Sequence, residues 1–231
     1  MYRKILVPAV LLLLCTSQVF SQQDAKELIA MIKKNLSDSK ASIKKYEWVE
    51  TTTVFYKGEQ KSVKQYQCYY GVDGKMTKIE TGGGTDPKKK GGIRGRIAEN
   101  KKDDITDYVE KAVAQVKTYL PPDGAKLEQI YAGGKSTVQI LEPGKKFKLG
   151  FPDYNLPGDL LSITIDKSAQ QLVALDVNTY TDKADQQVIF NVTYSVLPDN
   201  TQYQGSTTLE AKAKDVKIVI VNSGFKKGSA Q

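Results

Sequence analysis

The chain contains no histidine. That absence removes Ser/His and Cys/His nucleophilic pairs, and every histidine-ligated metal site, together. Cysteine is nearly absent as well, with only Cys15 and Cys68 present. Cys15 directly follows an N-terminal apolar run, so a chain cleaved beyond it keeps one thiol and forms no internal disulfide. Its stability must then come from core burial rather than covalent staples. Cys68 falls in Tyr66-Gln67-Cys68-Tyr69-Tyr70, a strand-like stretch where a small buried apolar role is expected. Long hydrophobic runs are missing too. The apolar stretch at residues 5–14 is roughly half of the ~20 residues a helix needs to cross a bilayer.

What stands at the N-terminus instead is an export signal. Arg3 and Lys4 give a short positive region, the apolar run follows, and Val19-Phe20-Ser21 places tolerated side chains at the −3 and −1 positions. Cleavage before Gln22 is expected, leaving residues 22–231 as one β-rich domain that acts in the periplasm or outside the cell. A lipid-modified Cys15 is the weaker alternative, because Leu14 occupies the preceding position where a small residue is needed. The net formal charge is +8, with 34 Lys+Arg against 26 Asp+Glu. This balance suits an anionic envelope surface, and nothing beyond charge points to nucleic acid.

Periodicity divides the chain into helix and strand. Ala25, Leu28, Ile29, Ile32 and Leu36 recur at helical spacing over residues 24–45, with Asp24 as a possible cap and Ser37-Asp38-Ser39 as a possible stop. Alternating β-formers then predict a meander: strands at 46–56 and 62–72 around Lys57-Gly58-Glu59, and a third at 75–81 after Asp73-Gly74. Residues 82–96, with Gly82-Gly83-Gly84 and Lys88-Lys89-Lys90, read as a flexible basic loop. A second amphipathic helix is expected over 103–120, its Asp103, Asp104 and Asp107 balancing the positive end of the helix dipole before Pro121-Pro122 stops it. Beyond 126 strands are expected at 127–131, 137–142, 146–151, 160–166, 172–180, 187–197, 203–211 and 216–222. Val188, Phe190, Val192, Tyr194 and Val196 alternate with polar neighbours, as on a half-buried antiparallel strand. Residues 216–221 are apolar on both faces and should form a central or covered strand.

Chemical motifs fail when tested. Gly133-Gly134-Lys135-Ser136-Thr137 lacks the earlier glycine of a phosphate loop, since Gln129 stands there, and a strand rather than a helix follows. The carboxylate pairs Glu47/Glu50 and Asp153/Asp159 are read as ordinary surface residues. Asn35-Leu36-Ser37 and Asn191-Val192-Thr193 fit the glycosylation pattern, which acts only in a eukaryotic secretory pathway. No catalytic residue, metal site or cofactor is predicted, and the expectation is a non-enzymatic protein.

One resemblance rests on the helix holding Ala25 and Leu36 that feeds the strand from Trp48 to Tyr56, on the Lys57-Gly58 turn, and on Pro157-Gly158-Asp159-Leu160-Leu161-Ser162-Ile163-Thr164-Ile165-Asp166. In element order the chain resembles the bacterial outer-membrane lipoprotein carrier (LolA-like) superfamily. That resemblance implies an α+β, β-rich fold: a curved antiparallel sheet or incomplete barrel with two helical segments packed over its open face. It also implies an apolar cavity for a lipid or other apolar ligand. Candidate lining residues are Tyr66, Tyr70, Phe190, Val192 and Tyr194. Thirteen tyrosines against six phenylalanines favour such a half-wet surface, because tyrosine joins an apolar ring to a polar tip. The alternative is a basic structural or surface-interaction protein of the envelope with no pocket, held through Lys88, Lys89 and Lys90.

Overall fold

The computed structural model describes residues 22–82 and 93–228, and the side chains of 26–82 and 104–228. The predicted signal at 1–21 and the tri-lysine at 88–90 lie outside the described residues. α1 (Gln22–Ser42) buries the predicted stripe, with Leu28, Ile29 and Ile32 almost free of solvent. It starts before Asp24, which therefore sits inside the helix rather than capping it. It also runs through Ser37-Asp38-Ser39, where Asp38 accepts a hydrogen bond from Lys34 Nζ one turn earlier at 2.6 Å and supports the helix. A 3-10 turn, Ile43–Lys45, leads into the predicted meander of β1 (Tyr46–Tyr56), β2 (Glu59–Tyr70) and β3 (Met76–Gly82).

Two helical expectations need correction. α2 spans Ile93–Lys117, beginning well before residue 103. Residues 93–96 of the expected loop are thus helical, and the acidic trio lies in the helix interior, away from its positive end. The dipole account of the trio fails, and exposure on the solvent side suffices for Asp104 and Asp107. The segment expected as a strand at 127–131 is helical, within α3 (Gly124–Ala132). Asp123 Oδ1 accepts the amides of Ala125 at 2.8 Å and Lys126 at 3.3 Å, capping the helix. Leu127, Ile130 and Tyr131 recur at helical spacing behind it. The cap and the 3–4 spacing outweigh the β-propensity of the short apolar run.

The remaining strands are β4 (Thr137–Glu142), β5 (Lys146–Pro152), β6 (Leu160–Asp166), β7 (Gln171–Tyr180), β8 (Gln187–Val196), β9 (Gln202–Ala211) and β10 (Val216–Lys227). All ten strands form one antiparallel sheet in the order β3-β2-β1-β10-β9-β8-β7-β6-β5-β4. The sheet is open: β3 and β4 are its edges. β10 lies between β1 and β9, the central place expected of 216–221, and it joins the two meanders into one layer.

Register lines the inner face with continuous rows. One row runs Phe151, Leu161, Val177, Phe190, Leu209, Ile218, Val54, Ser62 across β5 to β2. Its first five members are at most 5 % exposed. α1 and α2 lie against β7 and β9, and α3 against β5, so three helices rather than two roof this half. The roof buries Leu28, Ile32, Tyr108, Ala112, Val116 and Leu127 against the sheet.

The helices are tied down at the β5–β6 turn. Asp159, 2 % exposed, accepts the amides of Tyr154 at 2.5 Å, Asn155 at 2.9 Å and Leu156 at 2.7 Å, and the hydroxyl of Tyr119. Tyr119 follows α2, and its hydroxyl also shares a hydrogen bond with Thr179 Oγ1 at 2.8 Å. The Tyr154 hydroxyl accepts the Asp123 amide at 2.7 Å, just before α3. Burial, with the Asp159 carboxylate beside it, holds the Tyr119 phenol far above its ordinary range. Asp159 is therefore a buried joint, not the surface residue its sequence context suggested, and Asp153 sits in the same turn, accepting the Gly158 amide at 2.7 Å.

Asp159→Asn turns one acceptor oxygen into a donor facing buried donors. It should lower unfolding stability by about 2–4 kcal/mol, read as a fall in the urea midpoint. A change below about 0.5 kcal/mol, the size of an ordinary surface substitution, would show that the joint does not hold the roof.

Candidate functional site

The inner face changes character along each row. A second row runs Val138, Leu149, Ile163, Leu175, Val192, Thr207, Ile220, Thr52, Lys64 from β4 to β2. Leu149, Ile163, Leu175 and Val192 are at most 2 % exposed. Thr207, Ile220 and Thr52 are half-buried, and Lys64 is exposed. The first row behaves alike, since Ile218, Val54 and Ser62 are half-buried. At Thr207 on β9, Ile218 and Ile220 on β10, and Thr52 and Val54 on β1, the inner face is thus apolar or hydroxyl-bearing, yet partly open to water.

One end of this open region is polar. Glu50, 8 % exposed, sits between Asn222 and Tyr66 in the register. Its Oε2 accepts Lys78 Nζ at 2.6 Å, and Thr52 Oγ1 donates to its Oε1 at 3.3 Å. Glu50 is therefore a buried, paired carboxylate and not the ordinary surface residue expected. Lys64 reaches Glu80 at 3.3 Å on the same face. Trp48 Nε1 donates to Asn222 Oδ1 at 3.0 Å. Running from β5 towards β3, the face therefore goes from aliphatic, through mixed Ile/Val/Thr/Tyr, to paired charges.

The five predicted lining residues share this face but do not meet at one point. Phe190 and Val192 lie under the roof as part of the core. Tyr194 is half-buried and packs against the same core at the edge of the roof. Tyr66 stands beside Glu50 on the open side, half-buried. Tyr70 is further along β2, its ring 6.0 Å from that of Trp48. Sequence reasoning missed Thr52, Val54, Thr207, Ile218 and Ile220. The signal was present: residues 216–221 are largely apolar on both faces, as suits the central strand that β10 is.

Two surface depressions lie elsewhere. A shallow groove at the β1–β2 turn is lined by Phe55, Lys57, Glu210, Lys212 and Lys217. A polar cleft of about 290 Å³ lies between α1 and the turns at Gln170 and Asn200. Among the described residues no group of three or more Cys, Asp or Glu is placed to hold a metal ion, and no helix is long and apolar enough to cross a membrane. Cys68 is buried, and burial raises its thiol pKa, which disfavours the reactive thiolate.

Burial pushes the Tyr194 phenol up to about 12. The folded state thus favours the neutral ring. That contribution to stability is complete below the unfolded value of about 10 and is lost as pH rises from there through about 12. Absorbance of tyrosinate at 295 nm should show a component near pH 12 that Tyr194→Phe removes. Superimposable titrations of the two proteins would show that Tyr194 is not set in the low-dielectric rim described here.

No family model matches the chain, and no curated protein matches it. Two solved structures are similar in shape at very low identity. One is a DUF1329 family protein from Desulfovibrio piger, at 10 % identity, covering 89 % of this chain and 94 % of that one with a TM-score of 0.45. The other is a putative outer membrane lipoprotein-sorting protein domain from Vibrio parahaemolyticus, at 8 % identity, covering 90 % and 94 % with a TM-score of 0.42.

Proposed function

We propose that the chain is an exported, non-enzymatic envelope protein that holds an apolar ligand, an acyl chain by its chemistry, against the open part of the inner face. One observation carries this reading: Ile218, Ile220 and Val54 continue the rows of the buried core, and Ile218 and Val54 pack against it, yet all three stay only half-buried on the side the helices cover elsewhere. Leaving aliphatic side chains on such a surface forgoes about 25 cal/mol for each Å² that could be buried. An acyl chain laid along the rows would recover it, at up to ~0.8 kcal/mol per methylene. Thr52, Thr207, Tyr66 and Tyr194 supply the few polar groups that apolar pockets carry. The Glu50–Lys78 and Lys64–Glu80 pairs lie where a polar headgroup would emerge. The export signal at 1–21 supports an envelope or secreted location.

The protein should take up a fluorescent fatty acid, with affinity rising by roughly fourfold for each added methylene until the row is filled. Ile220→Lys should reduce uptake by more than about tenfold, since it places a charge on the apolar row. Val221→Lys, one residue along on the outer face and 42 % exposed, should leave uptake unchanged. Absence of uptake, or equal loss in both variants, would overturn the proposal.

A further inference from the structure

One end of the sheet carries exposed apolar side chains set among lysines, and the inner-face rows do not explain it. The β2–β3 turn presents Val72 at its tip, 92 % exposed. The turn is well tied: the Gly71 amide donates to Lys75 O at 3.0 Å, the Gly74 amide to Gly71 O at 2.8 Å, and the Lys75 amide to Asp73 Oδ1 at 3.0 Å. A β-branched valine has no local role at such a tip, where polar turn residues suffice. Met76, 46 % exposed, stands at its base opposite Tyr70.

Behind the tip lies an aromatic cluster. The Trp48 ring is stacked on Phe225 at 5.7 Å and lies 6.0 Å from Tyr70, and Tyr203 lies 4.2 Å from Phe225. Phe225, Tyr203 and Tyr70 are half-buried. Lysines ring this cluster. Lys44 Nζ lies 3.7 Å from where a side chain on Gly74 would begin. Lys45 O accepts the Gly228 amide at 2.9 Å, beside the last residues of β10. Lys44, Lys45 and Lys226 are exposed and make no ion pair with a described residue. Lys75 and Lys227 reach Asp73 and Asp199 only at 3.8 and 3.6 Å. Glu47 faces Lys226 across the strands. An apolar tip, half-wet aromatic rings and exposed lysines are the three elements that seat a protein in a bilayer interface.

We propose that this end of the sheet docks on an anionic lipid bilayer, with Val72 and Met76 entering the headgroup region, the aromatic rings at its level and Lys44, Lys45 and Lys226 on the lipid phosphates. The proposal stands apart from the ligand reading, because fatty-acid uptake is read at Ile220 and docking at Val72.

The test is co-sedimentation of the full chain with phosphatidylglycerol/phosphatidylcholine vesicles at 0.1 M salt. Binding is expected there, with much weaker binding to pure phosphatidylcholine and loss at 0.5 M salt. Val72→Asp should lower partitioning by about tenfold or more. The combined Lys44→Ala, Lys45→Ala, Lys226→Ala variant should lower it by roughly fivefold per lysine. A charge-matched control, Lys135→Ala, Lys183→Ala, Lys214→Ala, should bind nearly as the parent. All four positions on the docking end are exposed, and thermal melts will confirm that these variants fold. Equal loss in the control would reduce the effect to net charge and overturn the proposal. So would unchanged binding of Val72→Asp, or binding to an anionic polysaccharide but not to vesicles.

Discussion

The inner face of the sheet is wider than the helices that cover it, and the rest of the molecule follows from that mismatch. Ten strands at ~4.8 Å spacing span roughly 43 Å. Strands β5 to β9, within which the helices make their main contacts, account for roughly 19 Å of this. The hydrophobic effect places the helices where the rows are most aliphatic, over β5 to β9, and the remaining rows stay half-open. A solid core and a half-buried apolar surface are thus parts of one continuous face, divided by where the roof ends.

Where the roof ends is decided by polar contacts at its anchorage. Asp159 binds the β5–β6 turn, the end of α2 and, through Tyr154, the start of α3 into one knot. A buried carboxylate is tolerated there because its lone pairs are met by three amides and a hydroxyl. The knot sits at the β5–β6 end of the sheet, so the helices are held over that half and the region near β1 and β2 is left to other cover.

Much of the fold was legible in the chain. Period-2 alternation places β1, β4 and β6 at their observed bounds and the other strands to within about five residues, because turn residues such as Asp73-Gly74 and Pro157-Gly158 punctuate them. The both-face apolarity of 216–221 marked the central strand correctly. Legibility failed where two signals competed. Leu127, Ile130 and Tyr131 suit either a strand or a helix, and the Asp123 cap was overlooked. Glu50 and Asp159 read as surface residues in the sequence because a carboxylate reveals its partners only in three dimensions. The lining residues were read from one strand at a time. Tyr194 and Tyr66 do reach the open rim, while Ile218 and Ile220 required the register that pairs the last strand with the first.

That pairing sets Tyr46 opposite Lys227 and Tyr56 opposite Val216, so the first strand meets its inner neighbour only after residues 216–227 have been made. Contacts this distant in sequence close slowly, since loop-closure entropy is spent before they form. During synthesis the early meander has only its own hairpin partners and an uncovered apolar side. A chain wired in this order leaves its sheet in two separate meanders until β10 has been made and can bridge them.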